Sequence, residues 1–145
     1  MKNKNQEKTP TWLRVVAILA IAWNFIGLVA FFMQIKMSEA TLAAMSATDR
    51  AIYENTPIWA TIGFAIAVFA GTFGSVGLFL RKKWAHPVFM ISLIGIIVQQ
   101  SYFFFGSDIM KEAEISSMIM PGIVLLTGVL LLFFSKKMIR QGWLS

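Results

Sequence analysis

The side chains able to do chemistry inside this chain's long apolar stretches are uncharged. Ala17, Ala20, Asn24, Gly27, Phe31 and Gln34 recur at steps of three and four, and so share one helix face. Ser92, Gly95, Gln99 and Tyr102 recur the same way further along, with Gln100 adjacent. Amides and a phenol donate and accept hydrogen bonds, but they do not shuttle protons near neutral pH. In an apolar run such groups must turn inward. Two outcomes follow: hydrogen bonds between helices, at about 0.6 kcal/mol on average, or a polar pocket for an uncharged solute. Asn24, Gln34, Gln99, Gln100 and Tyr102 are the candidate binding residues.

Catalytic and metal chemistry find little here. The chain has no cysteine and one histidine, His86. Thiol chemistry is therefore excluded, and a single His cannot build a zinc site. Met33, Met37, Met45, Met110, Met118 and Met120 gather toward one side, and thioethers suit Cu(I). Without His or Cys beside them they read as adaptable packing. No acid, Lys or Arg falls deep in an apolar run, whereas proton-coupled carriers and intramembrane hydrolases need buried ionisable groups. The expectation is a non-enzyme with no cofactor and no metal.

The second apolar run carries the densest pattern. Gly63, Ala67, Gly71 and Ser75 stand at four-residue spacing, with Gly74 and Gly77 beside them. Small residues at this spacing let helix backbones approach closely. The ridge serves either contact within the bundle or docking of a partner helix, and Leu78 is expected outside it.

These faces need elements to carry them. Of 145 residues, 57% are apolar and 14% charged, outside the range of an ordinary soluble domain. Charge-free runs cover Val15–Ile35, Asn55–Leu80, Trp84–Ser107 and Ile115–Ser135, which are 21, 26, 24 and 21 residues long. Each exceeds the roughly 20 residues a spanning helix needs. The fold class is all-α, an integral-membrane up-and-down four-helix bundle in one domain, residues 1–145. The spans fall at about 13–35, 57–80, 86–106 and 115–135.

Basic residues set the orientation. Lys2, Lys4, Lys8, Arg14, Arg81, Lys82, Lys83, Lys136, Lys137 and Arg140 lie on the side of the tails and the 81–83 turn, against Lys36, Arg50 and Lys111 opposite. The positive-inside rule puts both termini in the cytoplasm. The net charge of +6 thus reflects topology rather than a nucleic-acid surface, and no nucleic acid is expected as partner. The outer loop 36–56 should hold a short helix from Ser38, with a second start at Thr48 or Asp49. Asn55-Thr56-Pro57 and Ala85-His86-Pro87 introduce the second and third spans. A second outer loop falls at 108–114. The tail Gln141-Gly142-Trp143-Leu144 is expected on the inner leaflet. The first run exceeds a signal-peptide core and lacks a nearby cleavage site, so it is read as a retained helix.

Asn24-Phe25-Ile26-Gly27, Pro57-Ile58-Trp59-Ala60, Gly71-Thr72-Phe73-Gly74-Ser75-Val76-Gly77-Leu78 and Leu80-Arg81-Lys82-Lys83-Trp84-Ala85, with Ser92-Leu93, resemble a family of small four-helix bacterial membrane proteins. The likeness covers nearly the whole chain. It implies a bacterial inner membrane. Members often carry the label "sugar transporter", with no functional motif to carry over. From the residues themselves, the first expectation is an accessory or scaffold subunit acting through helix packing, with the bilayer and a membrane protein or a second copy as partners. The alternative is a small carrier or channel for an uncharged polar solute such as a sugar.

Overall fold

In the computed structural model, which describes residues 9–106 and 115–145, the chain is an all-α up-and-down four-helix bundle. The N-terminal tail through Lys8 and the 108–114 loop lie outside the described residues. The elements are α1 (Thr11–Ile35), α2 (Glu39–Ala44), α3 (Ala47–Asn55), α4 (Ile58–Phe79), α5 (Ala85–Ser101) and α6 (Ile115–Arg140). A wide π-helical turn, Tyr102–Gly106, ends α5. Four stretches, Thr11–Ile35, Ile58–Phe79, Ala85–Gly106 and Met118–Arg140, are long and apolar enough to cross a membrane. They suggest a membrane protein.

Local chemistry explains the boundaries. Pro10 and Pro57 precede α1 and α4, and each carbonyl accepts an early amide of its helix. Ser38 caps α2 by accepting from Thr41 N at 3.3 Å. The second helix of the 36–56 loop begins at Ala47, ahead of the expected Thr48 or Asp49. Ser46 is its cap, accepting from Asp49 N at 3.1 Å and donating to Asp49 Oδ2 at 2.8 Å. The last helix runs past Ser135 to Arg140 because Lys137 and Arg140 sit in its final turn, where cations complement the exposed carbonyls.

Helix α4 is the axis of the bundle. It packs on α1 and α5, and α6 packs on α5. Gly63 and Gly95 make the α4–α5 contact nearly backbone to backbone. A Cβ on Gly95 would lie 2.7 Å from Gly63 O and 2.7 Å from Ala67 N, closer than real Cβ atoms come. Ser92 Oγ fixes the register by donating to Ala67 O at 2.7 Å. Toward the α1–α4 loop, the Phe31 ring of α1 stands edge-on to Phe64 and Phe69 of α4, with centroids 5.4 and 6.1 Å apart.

The two ends of the bundle differ. At the end bearing the termini, Leu13, Ala17, Leu78, Ala85, Phe89, Met138 and Leu144 form one buried cluster, and Trp12 stands edge-on to Phe134 at 6.0 Å. The tail after Gly142 is part of this cluster rather than lying flat on a surface. Lys83 N donates to Ser145 O at 3.1 Å, Ser145 N to Arg81 O at 2.9 Å, and Arg81 Nε to Trp143 O at 3.0 Å. Arg81 adopts a φ of 60° to make that turn, a left-handed conformation that is uncommon outside glycine. Leu144 thereby joins the same buried cluster as Leu78, which lies outside the small-residue ridge yet is fully buried. At the opposite end, the loop end, α2 and α3 lie across the bundle, and the Tyr53 hydroxyl of α3 donates to Gln34 O of α1 at 3.0 Å.

Candidate functional site

Two cavities occupy the space between the long helices. The upper, at the loop end, measures about 410 Å³ and is lined from α1 by Met33 and Gln34, from α3 by Asp49 and Tyr53, and from α5 and its π-turn by Gln99 and Tyr102. The lower measures about 300 Å³ and extends toward mid-bundle between α1, α4, α5 and α6, past Trp23, Asn24, Phe89 and Thr127. Ala30, Gln34, Gln99 and Phe103 line both, so the two meet at the paired glutamines. These volumes fall within the range of small-molecule sites.

The five polar residues divide into two groups. Asn24 is committed to the fold: Nδ2 donates to Ala20 O at 2.9 Å and to Ser75 Oγ at 3.0 Å, while Ser75 Oγ donates onward to Gly71 O at 2.7 Å. This ties α1 to α4. Gln100, 7% exposed, is committed as well, with Nε2 donating to Pro121 O of α6 at 2.8 Å. Gln34, Gln99 and Tyr102 are different. None of their side chains hydrogen-bonds to a described residue, although Tyr102 is only 7% exposed. Tyr102 lines the upper chamber, where its ring stands edge-on to Trp59 at 6.0 Å.

Packing holds this trio in place. The Gly63–Gly95 contact sets Gln99, whose backbone N would lie 3.0 Å from a Cβ on Gly63. The π-turn that begins at Tyr102 widens the helix where the phenol enters the chamber wall; such turns are frequent at functional sites. Sequence periodicity gave no sign of that turn. The Tyr53 hydroxyl, which fixes the end of α1 at Gln34, was missed as a site residue. Its aromatic ring within an outer-loop helix was the available signal.

The α4 ridge lies inside the bundle. Gly63, Ala67, Gly71, Gly74, Ser75 and Gly77 are all buried. Their neighbours belong to the same chain: Asn24 against Gly71, Phe89 against Gly74, Trp84 against Gly77. His86 lines neither chamber; its Nδ1 is 2.9 Å from Ser135 Oγ, which donates to Leu132 O at 2.8 Å. With its only proton on that carbonyl, the serine accepts from Nδ1–H. Met33, Met37 and Met45 line the upper chamber. Among the described residues there is no group of three His, Cys, Asp or Glu placed to hold a metal.

The upper chamber therefore offers two amides, the hydroxyl groups of Tyr53, Thr56 and Tyr102 and the Asp49 carboxylate, and the lower chamber has no charged residue in its lining. These are groups able to hydrogen-bond and stack. Set against protein-family models, curated proteins and solved structures, the chain matches none.

Proposed function

We propose that this chain is a non-enzymatic membrane carrier or binding protein that admits an uncharged polar solute, such as a sugar, through its loop end. The observation that carries the reading is the upper chamber of about 410 Å³, into which Gln34, Gln99 and Tyr102 bring hydrogen-bonding capacity that no described residue uses. Polar groups kept unpaired at the edge of an apolar bundle are expensive unless something pairs with them. A site built this way discriminates strongly for ligands that supply the missing hydrogen bonds. The terminus-bearing end is closed by the Leu13–Leu144 cluster, so a carrier cycle would have to part that cluster. The accessory-subunit reading placed its partner on the α4 ridge. With that ridge filled by α1 and α5, the chamber supports function better.

In this reading the bundle lies in a bacterial inner membrane with both termini cytoplasmic, as the ten-to-three distribution of cations favours. The test is a thermal-shift screen of uncharged sugars and polyols against the native chain and the Gln34→Leu/Gln99→Leu variant. A ligand at one hundred times its Kd stabilises by about 2.7 kcal/mol. At least one compound should raise the native Tm and leave the variant's unchanged. Equal shifts in both proteins, or none in either, would remove the solute reading.

A further inference from the structure

We infer that the ligand is an amphiphile: an uncharged hydrogen-bonding head in the upper chamber and a single apolar tail in the lower one, entering sideways between α1 and α6. This rests on the binding reading above and names the ligand class.

The two chambers have opposite chemistry, stacked in the order a lipid would need. The polar side chains with no hydrogen bond to a described residue are at the top, Gln34 and Gln99 where the chambers meet and Tyr102 in the upper one. Below the glutamines most polar donors are spent on the protein, Ser92 on Ala67 O, Asn24 on Ala20 O and Ser75, Gln100 on Pro121 O, with the Trp23 indole N–H and the Thr127 hydroxyl also in the lining. What remains for an occupant is mainly aromatic and aliphatic wall, such as Trp23, Phe64, Ile96 and Val124. Water needs several polar partners to settle in a cavity, and this wall supplies few. A hydrocarbon chain needs none.

The side of the lower chamber faces where the bilayer would be. The α1 stripe from Trp23 to Gln34 and the α6 stripe from Met120 to Leu131 line it. Each stripe is about 16 Å long at 1.5 Å per residue, near half of the roughly 30 Å hydrocarbon thickness. In the packing order α1–α4–α5–α6, α1 and α6 are the two ends and make little direct contact with one another. They are brought together at the terminus-bearing end, by the cluster holding Leu13, Ala17 and Met138. The bundle is thus a V whose open side is apolar on both lips, with Ile26 and Met120 strongly exposed. A water-soluble solute gains nothing from that side opening, whereas a tail can slide through it while its head stays at the interface. The head is uncharged because the groups that would face it, Gln34, Gln99 and Tyr102, carry no charge, and the one carboxylate in the two linings, Asp49, already accepts from the Ser46 hydroxyl.

The experiment uses the full chain in nanodiscs and an alkyl glucoside carrying a photoreactive diazirine at its tail end, with adducts mapped by mass spectrometry. Adducts should concentrate on Trp23–Ala30 and Met120–Leu131. They should be lost with excess unlabelled alkyl glucoside and persist with equal glucose or alkyl phosphocholine. Val124→Trp, which fills the cleft, should remove them while sparing adducts at lipid-facing Phe133. If glucose competes as well as the alkyl glucoside, the tail is irrelevant: the amphiphile inference falls and the solute reading stands. If alkyl phosphocholine competes equally, the uncharged head is wrong. Adducts spread evenly over Phe25, Phe73 and Phe133 with no competition would show bulk lipid alone and overturn the inference. The solute reading then depends on its own Gln34/Gln99 test.

Discussion

Filling Gly71 should be costly only while Asn24 is present. A Cβ at Gly71 would fall on Asn24 Oδ1, 2.9 Å from its Cγ and 3.2 Å from Ser92 Oγ. In Gly71→Ala the amide must swing away. It then loses its bonds to Ser75 Oγ and Ala20 O. An interhelical hydrogen bond in a membrane protein is worth about 0.6 kcal/mol on average and up to about 1.7, and overpacking adds about 1–3 kcal/mol. The expected loss for Gly71→Ala is therefore about 2–3 kcal/mol. Asn24→Ala forfeits the same bonds and leaves a small void, for about 1–2 kcal/mol. In the double variant the new methyl occupies space the amide vacated, so the combined loss should approach that of Asn24→Ala alone. The cycle should then show a coupling close to the whole Gly71→Ala cost, about 2–3 kcal/mol, against the 0.3–0.5 kcal/mol scatter of independent sites. Reversible unfolding in mixed detergent micelles, measured for all four proteins, reads it. Strict additivity would show that Asn24 does not lie on Gly71, and the α1–α4 junction described above would be wrong.

Other variants probe other contacts. Gly95→Leu drives a side chain into Gly63 O and Ala67 N and should abolish folded yield in size-exclusion chromatography, since backbone cannot give way. Gly122→Ala, where a Cβ meets nothing within 4 Å, should hold or raise Tm, by up to about 1 kcal/mol of helix propensity. Leu144→Ala should lower Tm by an amount equivalent to about 2–5 kcal/mol if the tail is docked as seen; an unchanged Tm would mean it is not. Reporters fused at each terminus should read cytoplasmic and one inserted at residue 47 should read outside; protease access to the C-terminus from outside intact cells would reverse that orientation.

The long helices were legible because one property, the spacing of charges, determines them. Ser38 as a helix cap was equally readable, since its partner is three residues away. The Ser46-x-x-Asp49 box was present in the sequence too, and its cap was overlooked in favour of Thr48 and Asp49. Periodicity grouped Asn24 and Gln99 as inward-facing, but it could not say that Asn24 reaches Ser75, 51 residues away, while Gln99 bonds to no described residue. That distinction depends on helix register, which the Gly63–Gly95 contact sets. The docked tail was the least legible element. Leu144 is buried by residues from four helices, held by a turn at Arg81 with no local signature such as glycine.

The central claim is that the loop-end chamber is a wet recognition site, and the absence of cysteine makes it directly testable. Gln99→Cys and Ile97→Cys would each place the protein's only thiol on α5, the first lining both chambers, the second on the 54%-exposed outer face. A membrane-impermeant thiol reagent applied to right-side-out vesicles should modify Gln99→Cys and leave Ile97→Cys unmodified. No reaction at position 99, or reaction at 97 to the same extent, would contradict the claim.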